Sequence, residues 1–222
     1  MRQIPLPIGS APAQSFESFL VGENLAPLEH LRQLTLRSAP TYLWGPDGSG
    51  KTHLLVALAG AWQARGARLG CFSPATLGPW SFDEGWSLVV LDDCQAFNAA
   101  QQQAAFTLFV EATSAGLPVV SAGSLPPVDL PLRDDLRTRL GWGLVFALRP
   151  LAEADARAVL RRAADGRGVF LSDEVMDYLL TRFRRDLKYL MALLERLDEF
   201  ALAHKRAVTV PLLKQMLAEP SP

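Results

Sequence analysis

The residues with the most specific chemistry are Gly45 to Thr52, G-P-D-G-S-G-K-T. They match the phosphate-loop pattern G-x-x-x-x-G-K-[ST] at every specified position. Gly45, Gly48 and Gly50 permit backbone angles that a side chain would forbid. Successive N–H groups then converge on a phosphate at a helix N-terminus, where the dipole also favours an anion. Lys51 would meet the β- and γ-phosphates as a point charge, and the Thr52 hydroxyl would ligate Mg²⁺. A second element completes this chemistry: Ser87-Leu88-Val89-Val90-Leu91 runs into Asp92-Asp93. At the C-terminal edge of a sheet, Asp92 can hold the metal through its water shell, and Asp93 can orient or deprotonate the attacking water. Strands also end in Asp for turn reasons. The phosphate loop about forty residues earlier gives the acidic pair its reading.

Three further groups of polar residues could serve the same crevice. Ser124 follows the apolar run Val119 to Gly123. It would contact the γ-phosphate or water, or it is a polar turn before Pro126-Pro127. Arg133, Arg137 and Arg139 share one short helical segment before Gly141-Trp142-Gly143. An arginine at a subunit edge can complete a neighbour's active site, while three arginines on one helix also make a solvated face. Arg182, Arg184, Arg185 and Lys188 begin a long helical stripe, where a cation would sense nucleotide or simply be solvated.

The elements that must position these groups follow from periodicity. Thr41 to Trp44 is a short β-prone run before the loop, and Leu55, Leu58, Ala59 and Trp62 recur after it at helical spacing. A connector and then a helix within Phe16 to Leu36 precede them, with Leu25, Leu28, Leu31 and Leu34 among the apolar positions, and Pro40 ends the helix. Strands are expected at Arg68–Ser73, Ser87–Leu91, Leu117–Ala122 and Leu144–Leu148, with helices at Asn98–Ala115 and Leu132–Leu140. The uninterrupted apolar run at Leu88 to Leu91 is what a strand buried on both faces requires. Alternating strands and helices predict an α/β domain with a parallel five-stranded sheet over residues 15–150. From Pro150 the pattern is helical: Glu153–Ala164, Ser172–Phe183, Asp186–His204 and Pro211–Leu217. Leu187, Leu190, Met191, Leu194, Leu197 and Ala201 form one stripe, so residues 151–222 read as a small helical lid.

Residues 1–14 are Pro-rich and aperiodic, and read as a flexible tail. Within them Q-I-P-L-P-I, Gln3 to Ile8, alternates apolar side chains with prolines that hold polyproline II. Those apolar residues call for a cover, either their own domain or a partner.

The chain has 222 residues, 49% of them hydrophobic, enough for a real core. Its formal net charge of −1 gives no electrostatic pointer to nucleic acid. Two cysteines without a C-x-x-C suggest a reducing cytoplasm and no zinc site. Neither a membrane span nor a signal peptide is expected.

Taken together, G-P-D-G-S-G-K-T-H-L-L, L-D-D-C-Q and L-R-T-R-L-G-W-G-L resemble the nucleotide-binding region of the bacterial replication initiator DnaA, an AAA+ protein. The resemblance runs from about Phe16 to Leu217. Such initiators carry a basic helix-turn-helix DNA reader; no dedicated DNA-binding domain is expected here. The segment Q-I-P-L-P-I resembles the short motif that docks on the DNA sliding clamp. An initiator-like module with that tail is similar to the Hda family, the DnaA-related regulatory inactivators. The resemblance implies a negative regulator of replication initiation. It would dock on clamp through Gln3, Leu6 and Ile8, bind ADP or ATP with Mg²⁺, and stimulate hydrolysis of DnaA-bound ATP. It places Arg139 as a finger acting in trans, with DnaA supplying the ATP and its attacking water. Lys188 stands where relatives usually carry a sensor arginine, and Ser124 where they carry an acidic residue. Lysine keeps the charge but lacks the planar fork. Two alternatives stay open: an autonomous ATPase of the helicase-loader or initiator type, and a non-catalytic clamp adaptor. A homodimer would present paired tails to a multimeric clamp.

Overall fold

The computed structural model describes residues 14–183 and 187–219, the side chain of Lys188 excepted. The clamp-motif residues Gln3, Leu6 and Ile8 lie outside the described residues. The chain divides into two compact units between Arg149 and Pro150.

In the first unit, helix α1 (Leu25–Arg32) leads to β1 (Thr41–Trp44), α2 (Lys51–Gln63), β2 (Leu69–Phe72) and β3 (Leu88–Leu91). Then come α3 (Ala99–Ser114), β4 (Val119–Gly123), α4 (Asp134–Leu140) and β5 (Leu144–Ala147). The five strands form one sheet in the order β2-β3-β4-β1-β5, and every pairing is parallel. Side-chain alternation divides the strand residues between two cores. Leu43, Leu88, Val90, Val120 and Ala122 face one core with α1 and α2. Tyr42, Val89, Leu91 and Val119 face the other, with α3 and α4. Helices therefore cover both faces, which is why β3 can be apolar at all four positions. Fully burying one such side chain contributes about 1.5–3 kcal/mol, so the strands that present the site are rigidly held.

Two local signals set the helices. Asn98 accepts from the Gln101 N–H while the Gln101 side chain accepts from the Asn98 N–H, a capping box that starts α3. α1 is shorter than the leucine spacing suggests. It ends at Arg32, so Leu34, though buried, lies in the connector beyond it, and Pro40 is not its terminator.

The second unit is all helical: α5 (Glu153–Gly166), α6 (Asp173–Arg182), α7 (Leu187–His204) and α8 (Val210–Ala218). Its own core contains Leu160, Met176, Leu179, Leu190, Leu194, Leu197 and Leu213. Ser172 caps α6 through the Val175 N–H, and Thr209 caps α8 through the Leu212 N–H. Ion pairs from Arg157 to Asp177 and from Arg161 to Asp173 join α5 to α6. No helix among the described residues is long and apolar enough to cross a membrane.

Candidate functional site

β1, between β4 and β5, delivers the phosphate loop to the C-terminal edge of the sheet. The Gly45 N–H donates to the Gly123 carbonyl at 3.3 Å, which ties the loop to the end of β4. A Cβ at Gly45 would collide with the Leu148 carbonyl. Gly50 has φ +97° and precedes α2 directly, and a Cβ there would come within 2.7 Å of the Phe19 ring. Only glycine meets both demands. No side chain caps α2, so its first-turn amides stay directed at the loop. Lys51 is 6% exposed, and its ammonium donates to the Gly45 and Pro46 carbonyls at 2.8 and 3.0 Å. The Ser49 hydroxyl is buried without a hydrogen-bond partner, alone in this among the described side chains. A concavity holding a buried cation, open helix amides and an orphaned hydroxyl fits a phosphate chain.

The acidic edge lies one element away. Asp92 is half-buried at the end of β3, and its Oδ1 accepts the Asp93 N–H at 2.9 Å. Burial pushes its carboxyl pKa up. A Thr52 hydroxyl within hydrogen-bonding reach opposes that, the Asp93 charge adds to it, and the Asp93 N–H and Lys51 charge again oppose it. Two oxygens from different elements, Thr52 and Asp92, thus stand together. That donor set fits Mg²⁺, which keeps several waters and uses one or two protein oxygens. Among the described residues no cluster of three or more acidic, His or Cys side chains forms an all-protein metal cage. Asp93 is exposed and left-handed at φ +52°, a conformation that Asp tolerates better than most residues. The turn starts a short 3₁₀ segment, Cys94–Ala96, and aims the chain back at β4. Ser124 lies just beyond β4, and its backbone N–H donates to the Gln95 amide at 3.0 Å.

The three arginines near α4 separate cleanly. Arg133 pairs with Asp135 and bonds the Gln103 amide. Arg137 pairs with Asp134 at 2.7 Å. Arg139 has no carboxylate within ion-pair distance among the described residues. Its guanidinium lies 4.6 Å from the centre of the Trp142 ring instead. Trp142 is 64% exposed. A Cβ at Gly143 would collide with the Pro40 carbonyl, which also accepts the Leu144 N–H at 2.8 Å. That close approach fixes the backbone that carries Trp142. Just after it in the chain, Leu144 and Val145 are exposed apolar side chains, as is Val128 in the segment before α4.

Lys188 falls in the first turn of α7, in the helical unit. Other contacts of the site left no mark on sequence spacing. Phe19 packs on Gly50 and meets the His53 ring edge-on. His53 Nε2 lies 2.9 Å from the Ser15 carbonyl, which holds this segment against the start of α2. Asn24, buried, makes a two-bond pair with the Arg149 backbone at 2.8 Å each way. The Q of L-D-D-C-Q was visible in the motif, but its bonds were not.

Comparison with known proteins agrees with this architecture. A family model described as "Hda, lid domain" matches residues 153–217. An uncharacterized protein of Haemophilus influenzae is 34% identical over 97% of this chain and 98% of its own length. Domain III of the Thermotoga maritima replication initiation protein DnaA superposes with a TM-score of 0.76 at 22% identity, covering 93% of this chain and 96% of that one. AMPPCP-bound DnaA from Aquifex aeolicus gives 0.68 at 22% identity, covering 87% of this chain and 67% of that one. The Thermotoga maritima RuvB branch-migration motor shares the fold more distantly, at 0.65 and 18% identity, covering 92% of this chain and 71% of that one. The parallel five-stranded sheet behind a phosphate loop gives the chain the fold of DnaA domain III, and its helical unit belongs with the Hda lid domains.

Proposed function

We propose that this protein is a negative regulator of replication initiation that stimulates hydrolysis of ATP bound to DnaA while docked on the DNA sliding clamp. The observation that carries this reading is the state of Arg139. Its neighbours Arg133 and Arg137 are neutralised by carboxylates, whereas Arg139 rests on an exposed indole beside an apolar edge. A cation at a protein edge, with no counter-charge among the described residues, suits a partner's phosphates. A trans arginine can contribute about 10³–10⁵ in rate by stabilising charge as the γ-phosphoryl group separates.

The other parts support this role. ADP or ATP would lie along Gly45 to Thr52, with Lys51 on the phosphates and Thr52 and Asp92 on Mg²⁺, which would neutralise phosphate charge. Asp93 and Ser124 would face the terminal phosphate, and Lys188 would be the cation of the helical unit. Gln3, Leu6 and Ile8 would enter the clamp's peptide pocket, a homodimer would present two tails, and the setting would be the cytoplasm. The complete loop and the Thr52–Asp92 pair also suit an ATPase acting alone. Turnover by the isolated chain would favour that second reading, and activity surviving loss of Arg139 would favour a clamp adaptor.

The test replaces Arg139 with Ala. ATP–DnaA is incubated with DNA-loaded clamp and either chain, and ADP–DnaA is measured. The variant should fold, bind nucleotide and bind clamp as the native chain does, yet lose stimulation. Arg139→Lys should recover little, because an ammonium lacks the bidentate fork. Wild-type conversion by Arg139→Ala would overturn the reading.

A further inference from the structure

Gln95 joins Asp93, two residues before it, to Ser124, 29 residues after it. Its Oε1 accepts the Ser124 N–H at 3.0 Å, and its Nε2 donates to Asp93 Oδ1 at 3.3 Å. Chemistry fixes the amide's orientation. Flipped, it would set an NH₂ against an N–H and an oxygen against a carboxylate, losing both bonds. The side chain is half-buried, and a Cβ on Gly123 would come within 3.2 Å of its Oε1 and also collide with the Tyr42 hydroxyl. That hydroxyl donates to the Leu125 carbonyl at 2.9 Å. The Gly123–Leu125 turn is thus pinned by Gln95 at Ser124 and by Tyr42 at Leu125. The same turn reaches the phosphate loop, because the Gly123 carbonyl accepts the Gly45 N–H, and the Gly45 carbonyl in turn accepts from Lys51.

A continuous path therefore runs from Asp93 through Gln95 and the end of β4 to the loop lysine. We infer that Gln95 is a positioning residue that locks the Asp93 carboxylate to the β4 turn, so that the site distinguishes a nucleoside triphosphate from a diphosphate. The inference rests on the proposed reading of Gly45–Thr52 as a nucleotide site. The two distal phosphates of a diphosphate are served by the loop amides and Lys51, which Gln95 does not touch. A third phosphate extends beyond Lys51 toward the ends of β3 and β4, where Asp93 and Ser124 stand. If Asp93 swings free there, its charge is no longer held at a fixed distance from the incoming phosphate. Ser124, a short side chain, depends on its backbone turn for its position.

The experiment titrates the full native chain, Gln95→Ala and Gln95→Glu with Mg–ADP and with the non-hydrolysable analogue Mg–AMPPCP, by calorimetry. One hydrogen bond contributes about 1 kcal/mol. Gln95→Ala should therefore weaken AMPPCP about fivefold. ADP affinity should stay within about twofold, because its phosphates contact none of the lost bonds. Gln95→Glu keeps an acceptor for the Ser124 N–H but sets a second carboxylate against Asp93, so it should weaken AMPPCP more than Ala does while sparing ADP. Equal losses for the two nucleotides would mark Gln95 as merely structural and overturn the inference. So would an unchanged AMPPCP-to-ADP ratio, or a Gln95→Glu protein matching the native chain. Unliganded melting curves of the three chains verify that each is folded. A native chain that bound neither nucleotide would overturn the underlying site reading and this inference with it.

Discussion

Replacing Lys51 with Ala isolates the contribution of one buried cation. The native ammonium is held by two loop carbonyls at 2.8 and 3.0 Å while 6% exposed. Removing it loses two charge-assisted bonds but also relieves the desolvation of a buried charge. These terms oppose each other, so unliganded stability should change by about 1 kcal/mol. Ligand-dependent stability should change more. At ADP equal to about 100 times its native Kd, binding stabilises the fold by about 2.7 kcal/mol. For a chain of this size each kcal/mol moves Tm by about 2–4 °C, so the native shift should be roughly 5–11 °C. Losing a bond from Lys51 to phosphate, about 2 kcal/mol, weakens binding roughly 30-fold. The same ADP concentration then stands near three times the variant's Kd, stabilises by about 0.9 kcal/mol, and shifts Tm by roughly 2–3 °C. Thermal melting with and without ADP, checked by calorimetric titration, reads both numbers. An equal ADP shift in native and variant chains would refute the assignment of Lys51 to the phosphates.

Trp142→Ala should lower DnaA-bound ATP hydrolysis by only about twofold to fivefold, since an exposed cation–π contact contributes about 0.5–1 kcal/mol. A loss as deep as that of Arg139→Ala in the same assay would show that Trp142 does more than support the guanidinium. Asp92→Asn should raise the unliganded Tm at neutral pH yet impair Mg²⁺-dependent nucleotide binding. The native carboxyl pKa is raised by burial, so this group's stabilisation is fullest below the ordinary Asp range and is lost as pH rises through the raised value. Asn removes that slope, and melting curves of both chains, followed upward in pH from below the ordinary Asp range, would contradict this if their difference were flat. Replacing Gln3, Leu6 and Ile8 together by Ala should abolish clamp binding without altering the melting curve. Native affinity in a surface-capture assay would return the tail to a role on its own domain.

Much of the fold was legible in the sequence because its signals are local. Leu88 to Leu91 could be read as a strand because both faces are covered, which leaves no polar alternation to blur it. The α3 helix was legible over Asn98–Ala115, and its capping box between Asn98 and Gln101 came only with the structure. α1 was less so: Leu25, Leu28, Leu31 and Leu34 keep helical spacing, yet Leu34 is buried from the connector. Spacing records a shared face, not the hydrogen bonds that continue a helix. Glycine, lysine and acidic residues of the candidate site were readable as a motif, and the structure sets the Thr52 hydroxyl beside the Asp92 carboxyl. The couplings between distant segments were not readable. Gln95 to Ser124, Asn24 to Arg149 and Phe19 to Gly50 depend on which strand ends are neighbours. Arg139 could not be separated from Arg133 and Arg137 until their carboxylate partners were placed.

The central claim is that this chain acts on ATP held by another protein. Its most direct measurement is a single-turnover assay with purified DnaA preloaded with radiolabelled ATP, followed in time alone, with this chain, with DNA-loaded clamp, and with both. The account predicts rapid conversion to ADP–DnaA only when chain and loaded clamp are present together. Conversion that stayed at the rate of DnaA alone in the complete mixture would contradict it.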